Sequence, residues 1–447
     1  VINIADRLCR GFGGGAFFFA VRDIRRLPPL PETKPEGGAL LPRLRQAVRR
    51  TDRGVCCGID VGGTDIKAAV SRDGRLLCVK EYDWDPASSP TAEGILAPME
   101  LLVRLMACCA AGPITPQLRR ALRRDATDRE MAQAVAAHPA AKPDVLGVSF
   151  PDIVIRDKVA GGETTKMKGM RDNPALNYEA AFGEIRELRQ RLLPLCAPGA
   201  AVHLANDGHI AAFTAAAELA FSGDIPDLSG GVIAHSLGTD FGFGCLLPDG
   251  SIPQTPMELY DFLLDLGSLH RAQLPPEDLR STRNENSGLA GARRYLGQAA
   301  AFRLAAERQP RLLTGFARRE EGLLTIPSDL RKPCLEHLMD RAQAGDPDAR
   351  WVFRQVGVHL GQISRELDWL MAPETQVRYL FGRFVKSPVC FRLMAEGCRS
   401  VLPRLRLEAA DEDLACTPLM RDLAGQDVTV AQFGQAVGAM YFAAMEP

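Results

Sequence analysis

Residues 58 to 71 read GIDVGGTDIKAAVS, and they bring a carboxylate, a glycine pair, a hydroxyl and a lysine close together in the chain. Asp60 lies near the end of an apolar run that starts at Val55, Gly62-Gly63-Thr64 has the make-up of a tight turn, and Lys67 opens the returning run. A glycine turn between two strands lets backbone N–H groups approach a phosphate, because no Cβ holds the anion away. A second turn, Leu237-Gly238-Thr239, lies between the runs 231–234 and 242–247, so the two turns could grip one polyphosphate from two sides. Asp60 beside an anion is tolerable only with a cation between them, and Mg²⁺ held through water suits that place. Lys67 either adds positive charge nearby or pairs with Asp60. Each turn alone also reads as an ordinary hairpin; both in order, with an aspartate on the inner strand, point to a phosphate site.

The elements that must carry these residues follow from the pattern. Strands are predicted over 55–61, 67–70 and 75–80, with Asp73-Gly74 as the hairpin turn between the last two. Leu101 to Ala137 is rich in Ala, Leu and Arg and reads as helix, broken by Gly112-Pro113 and Pro116. Strands at 145–150 and 201–204 follow, the second stopping at Asn206-Asp207, where an alanine-rich helix over 208–221 begins. Asp261 to Met371 reads as nearly all helical, and within it Val352, Val356, Leu360, Ile363, Leu367 and Leu370 recur at the spacing of one buried face. Val377 to Leu380 is a last strand, running into Phe381-Gly382. The chain thus holds two similar halves, each a strand, a Gly-Thr turn, a strand and an Asp-Gly turn.

Composition bounds the rest. With 447 residues, 46% of them hydrophobic, the chain is long enough for two or three domains with real cores. A net charge of −1 gives no general reason to expect nucleic acid or an acidic membrane surface as a partner. The twelve cysteines are scattered without a C-x-x-C, as reduced thiols of a cytoplasmic protein are. No stretch is read as reaching the roughly 20 apolar residues that span a bilayer. Residues 1–53 carry eleven Lys/Arg against five Asp/Glu around PPLPETKPEGG, and read as an extension or docking arm rather than a targeting leader.

The series Asp60-Val-Gly-Gly-Thr-Asp-Ile-Lys67, Gly147-Val-Ser-Phe-Pro151, Asn206-Asp207 and Leu237-Gly-Thr239 resembles the ROK family of sugar kinases and repressors, within the actin-like ATPase superfamily. Residues 342–349 before the long amphipathic helix, Ala372-Pro-Glu374 after it, Phe381-Gly382 and Gly434 to Gly438 continue the resemblance, which covers about residues 55 to 442. It implies an α/β, two-lobed actin-like ATPase (ribonuclease H-like) fold with the active site in the interlobe cleft. It also implies that Asp207 is the general base for the attacking sugar hydroxyl, that Asn206 hydrogen-bonds the sugar, and that ATP is the phosphoryl donor with Mg²⁺. The phosphate-binding set is then Gly62, Gly63, Thr64, Lys67, Gly238, Thr239 and Gly382, with Asp60 holding Mg²⁺ through water. Locally, Asp207 also reads as a helix N-cap, and the helix dipole would hold it ionised.

The departures from the family pattern bear on substrate and nucleotide. Pro256 to Asp261 replaces the usual Gly-Glu-x-Gly-His segment, leaving Glu258 as a hydroxyl acceptor in the substrate pocket and Asp261 at the histidine position. The cysteine-rich zinc loop is missing and His270 stands alone, so no structural zinc is expected. Asp152 and Asp240 replace loop glycines, and Arg383 follows Gly382, where it would stack on an adenine or block it. Lys166, Lys168 and Arg171 lie in a Gly-flanked loop that either binds an anionic group on the substrate or is a solvated lid.

The expected organisation is an extension over 1–53, a first lobe over 54–202 completed by 432–447, and a second lobe over 203–431 with a helical insertion. The expected protein is a cytoplasmic, homodimeric, ATP-dependent kinase of a small carbohydrate or polyol, with no nucleic-acid or membrane partner. A non-catalytic ligand sensor on the same fold is the alternative. Repressors of the family carry a winged helix-turn-helix, for which residues 1–53 are too short and too rich in Pro and Gly.

Overall fold

The computed structural model describes residues 7, 9, 40–162, 164–238, 241–254, 259, 262–265, 274–283, 290–371, 373–410 and 413–445. The chain forms two compact units. The first comprises Val1–Ser229, Leu246–Pro256 and Asp413–Pro447, and the second Gly230–Cys245 and Met257–Glu412.

In the first unit, strands β1 (Val55–Val61), β2 (Asp65–Arg72), β3 (Arg75–Asp83), β4 (Val145–Phe150) and β5 (Ala201–Asn206) form one sheet in the order β3-β2-β1-β4-β5. β1, β2 and β3 are an antiparallel meander, and β4 lies parallel to both β1 and β5. Asp73 and Gly74 make the β2–β3 turn with φ of 50° and 76°, the left-handed pair that a two-residue hairpin needs.

Alternation along the strands divides the sheet faces. Cys57, Ile59 and Val61 of β1, Ile66, Ala68 and Val70 of β2, and Leu146, Val148 and Phe150 of β4 share one apolar core with the helix Glu93–Ala111. By length and composition this helix is apolar enough to cross a membrane, which the sequence reading overlooked; 61% of its apolar window is buried in the unit. The opposite face is cut flat by Gly58 and Gly147, which are register partners. Here the C-terminal helix Val430–Ala444 lies so close that a methyl group on Gly58 would sit 1.8 Å from the Ala436 carbonyl oxygen. On Gly147 it would sit 1.8 Å from that of Ala439.

Two boundaries differ from the sequence reading. Ending the first lobe at residue 202 would cut through β5, whose pairing with β4 runs to Phe150↔Asn206, and the following helix Asp207–Leu219 is held by Thr214 against Gly438 of the C-terminal helix. Within the segment read as an extension, Leu40–Arg50 is a helix with Leu40, Leu44, Ala47 and Val48 buried. Arg45 Nε donates to the Ala220 carbonyl at 3.2 Å, where a cation suits a helix C-terminus, and Arg50 Nη1 donates to Ala444 O at 3.2 Å.

In the second unit, β6 (Val232–Leu237), β7 (Phe241–Leu246), β8 (Val377–Phe381) and β9 (Arg406–Ala409) are ordered β9-β8-β6-β7, with β8 parallel to both β6 and β9. The long helix Pro347–Met371 buries Val352, Val356, Leu360, Ile363 and Leu367 along the expected face. The stripe stops there, because Trp369 and Leu370 are 58% and 43% exposed. Gly357 and Gly397 bring this helix against Pro388–Val401 at backbone distance. The expectation of near-continuous helix over 261–371 is corrected. Arg318–Glu320 and Leu323–Thr325 pair as a hairpin around Glu321 and Gly322, whose φ of 49° and 85° no helix accommodates.

Candidate functional site

In the first unit the chemistry collects at the carboxyl ends of the parallel strands β1, β4 and β5, the edge where open α/β sheets hold their ligands. Asp60 and Ser149 are register partners there, and Ser149 Oγ donates to Asp60 Oδ1 at 2.7 Å. Beyond Asp60 the chain turns: Gly62 N donates to Asp65 O at 2.8 Å, leaving Gly63 and Thr64 at the tip. Trp84 braces this turn, its backbone N donating to Thr64 O at 3.1 Å and its indole N–H to Gly62 O at 3.3 Å. Among the described residues a side chain on Gly63 would meet only Lys166 Cε, at 3.7 Å, which leaves the tip open for close approach.

Lys67 forms its ion pair with Asp65, which settles the choice the sequence left and gives Asp65 a role that sequence reasoning missed. Its charge still reaches Asp60. Burial pushes the Asp60 carboxyl up to about 6, with the neighbouring Asp207 adding to the rise, while the Ser149 hydrogen bond and Lys67 oppose it.

Asn206 is the N-cap of the helix Asp207–Leu219, its side-chain oxygen accepting from Gly208 N at 2.9 Å, and its Nδ2 donates to Asp152 O at 3.0 Å. The cap that the alternative reading assigned to Asp207 therefore belongs to Asn206. Asp207 is the first helical residue, with Oδ1 also accepting from Gly208 N at 2.9 Å. Burial raises its pKa, and Lys166 is the strongest opposing influence. The expectation that the helix dipole holds Asp207 ionised is thus corrected in direction. The part-buried, desolvated carboxylate is a stronger base than an exposed one.

Asp152, which replaces a loop glycine of the family pattern, points into the protein. It is 4% exposed, and its oxygens accept from Ile153 N at 2.7 Å and Gly162 N at 2.8 Å. Burial raises it to about 6, against those two hydrogen bonds. The carboxylate acts as the organiser of the 160–162 turn. This organising role is not legible in the sequence, since the accepting geometry needs the course of residues 160–162 to be known.

In the second unit, β6 runs into Gly238 and β8 into Gly382, and the pairing Phe381↔Ser236 puts the two glycines at one end of the sheet. Gly382 has φ of 93°, and a Cβ there would lie 2.5 Å from Leu237 O, so only glycine fits. A Cβ on Gly238 would meet none of the described residues within 4 Å, and its carbonyl accepts from Gln298 N at 3.0 Å, at the start of the helix Gln298–Arg308. Arg383 is committed to an ion pair with Glu336. Thr239, Asp240, Glu258, Asp261 and His270 lie outside the described residues.

No group of three or more His, Cys, Asp or Glu side chains poised for a metal occurs among the described residues. Asp60 suits a different kind of site. A single carboxylate crowded by Asp207 and Asp65 fits a water-rich Mg²⁺ that takes its other ligands from phosphates.

No protein-family model and no curated protein matches the chain. Among solved structures it is similar to a ROK family transcriptional regulator described as a homolog of the E. coli MLC protein, with 13% identity, TM-score 0.50, and coverage of 88% of this chain and 81% of that one. A ROK family glucokinase from Streptomyces griseus in complex with glucose and AMPPNP matches at 20% identity, TM-score 0.45, over 86% and 98% of the two chains. A ROK hexokinase from Thermus thermophilus matches at 15% identity, TM-score 0.48, over 86% and 98%. At 13% identity and a TM-score of 0.50, the likeness to the ROK transcriptional regulator is one of fold alone, and the chain's own sheets and helices make it α/β.

Proposed function

We propose that the chain is an ATP-dependent phosphotransferase that acts on a sugar or sugar-like hydroxyl, with Asp207 as general base. The observation that carries this reading is the position of Asp207 and Asp60 on one sheet edge, where the Asp207 charge reaches Asp60 and raises its pKa, with the open Gly63-Thr64 turn directly after β1. A base beside a phosphate-binding turn is the minimal arrangement for moving a phosphoryl group to an alcohol.

In this reading the acceptor hydroxyl gives its proton to Asp207 and its oxygen attacks the terminal phosphorus in line. Gly62, Gly63 and Thr64 hold the phosphates through backbone N–H groups, joined in that role by Gly238, Thr239 and Gly382, while Lys67 keeps positive charge near Asp60 by way of Asp65. Mg²⁺, held by Asp60 through water, would neutralise charge on the phosphates. Asn206 keeps one donor hydrogen and one acceptor lone pair beyond its two internal bonds, enough to orient a sugar hydroxyl together with Glu258.

The test is ATP turnover with Mg²⁺ over a panel of hexoses, N-acetylated hexosamines and polyols. Turnover of one class is the expected result. A sugar that binds and is never phosphorylated would replace this reading with the ligand sensor.

A further inference from the structure

The Gly-flanked loop over 161–172 carries three cations, and two of them are spent on the loop itself. Lys168 pairs with Asp172. Arg171 Nη1 donates to Thr164 O at 2.7 Å and to Gly162 O at 3.1 Å. Lys166 makes no hydrogen bond or ion pair with any described residue, and its aliphatic end lies over Gly63 at the tip of the phosphate-type turn. Its charge also reaches two carboxylates of the site, the part-buried Asp207 and the buried Asp152.

The loop is held in place at several points. Next to Lys166, Met167 is buried, as is Met170 one turn on, and Gly169 packs against the Ser88–Ser89 backbone. Upstream, Asp152 accepts from Gly162 N, and Arg7 Nη1 donates to Gly161 O at 2.7 Å while its guanidinium pairs with Glu179. Tyr178 donates to Gly162 O. A lysine so mounted is a positioned cation at low ordering cost, which is what electrostatic catalysis requires.

We infer that Lys166 contacts the phosphoryl group in flight, between the nucleotide's terminal phosphate over Gly63 and the acceptor hydroxyl held by Asp207. This rests on the kinase reading above and adds a catalytic residue to it. In the step, the acceptor oxygen–phosphorus bond forms and the bond from phosphorus to the bridging oxygen breaks, its electron pair staying on ADP. The proton of the hydroxyl goes to Asp207, and Lys166 takes no part in the proton transfer. A point charge on a flexible stem can follow the moving equatorial oxygens, whose negative charge it offsets. The competing role, a grip on an anionic group of the acceptor, would want the cation away from the Gly63 turn.

The test pairs binding with turnover. Calorimetry with AMPPNP and ADP, each with Mg²⁺, is run on wild type, Lys166→Met and Lys166→Arg. AMPPNP affinity should fall about 10-fold in Lys166→Met with ADP affinity changed less than 2-fold, because only the terminal phosphate reaches the lysine. With the best acceptor of the sugar panel, kcat should fall roughly 10² to 10³-fold in Lys166→Met, with partial recovery in Lys166→Arg and acceptor KM within 2-fold. Equal losses for AMPPNP and ADP, unchanged AMPPNP affinity, or an effect confined to acceptor KM would each overturn the inference. Selective loss of AMPPNP affinity in a protein that turns over no sugar would remove the kinase reading and keep Lys166 on the terminal phosphate. Normal turnover by Lys166→Met would do the reverse.

Discussion

Ser149 Oγ donates to Asp60 Oδ1 at 2.7 Å across the β1–β4 pair, and this bond does not hold the carboxyl at its usual pKa. Burial wins, and Asp60 rises from 3.8 to about 6. A folded-state value above the unfolded one means that Asp60 contributes stability that is complete below about pH 4 and lost as the pH rises through 6. At neutral pH the charged carboxylate costs on the order of 2 to 3 kcal/mol.

Asp60→Asn should therefore be more stable than wild type at pH 7.5 by about 1 to 3 kcal/mol and no more stable at pH 4. The same substitution should weaken Mg²⁺-dependent nucleotide binding. Urea melts at the two pH values check the first part and calorimetry with and without Mg²⁺ the second. A variant less stable than wild type at both pH values would show that the Ser149 bond, not burial, dominates Asp60.

The closeness of the C-terminal helix to the sheet gives a prediction about the fold. A methyl group on Gly147 has nowhere to go but into the Ala439 backbone, so Gly147→Ala should cost about 2 to 3 kcal/mol or more. Gly183 is also inside a helical or strand element, has open space around it, and should cost nothing of the kind on the same change. Thermal unfolding of both variants checks the contrast, and equal melting temperatures would contradict the packing described here.

How much of this was legible in the sequence depends on the range of the interaction. β1 and the glycine turn were readable because period-two alternation and a Gly-Gly pair are local signals. The partner of Lys67 was not, because Asp60 across the hairpin and Asp65 two residues away are both within reach and only the register of side chains decides. The hairpin around Glu321-Gly322 hid in a stretch of helix-forming composition, since a two-residue left-handed turn outweighs the propensity of its neighbours. The role of Asp152 needed the 160–162 turn to fold back on it, a contact ten residues away that no short motif encodes. Lys166 stood out only as one of three cations; its separation from the other two is a matter of which partners the loop geometry supplies.

Glu218 is a buried carboxylate in the helix Asp207–Leu219 whose oxygens accept from Thr417 N at 3.0 Å, Thr417 Oγ1 at 2.6 Å and Cys416 N. It ties the C-terminal segment to the helix that carries Asp207. Tyr441 extends the tie by donating to Thr417 Oγ1 at 2.9 Å. Glu218→Ala strands two backbone donors and should cost about 2 to 4 kcal/mol, whereas Glu218→Gln keeps an acceptor and should cost about half as much. Denaturant midpoints at constant slope are the measure, and a Glu218→Ala midpoint at the wild-type value would mean that water replaces the carboxylate freely.

Asp207 gives the sharpest test of the proposed chemistry. Because Asn206 is the cap, Asp207→Asn leaves the helix start intact and keeps an oxygen for Gly208 N, so the melting temperature should change little. The variant cannot accept a proton, and turnover with the best acceptor should drop roughly 10² to 10⁴-fold while acceptor binding persists. The wild-type rate should also rise with pH through the Asp207 pKa, which lies above the usual carboxylate range because of burial. Removing Lys166, the main opposing charge, should move that limb to higher pH, since the ionised form loses its neighbour. A flat limb in Asp207→Asn with residual turnover is the expected signature of the missing base. Wild-type turnover in Asp207→Asn would instead rule out Asp207 as the base and leave Asp60, a raised carboxylate at the same sheet edge beside the glycine turn, as the group to test next.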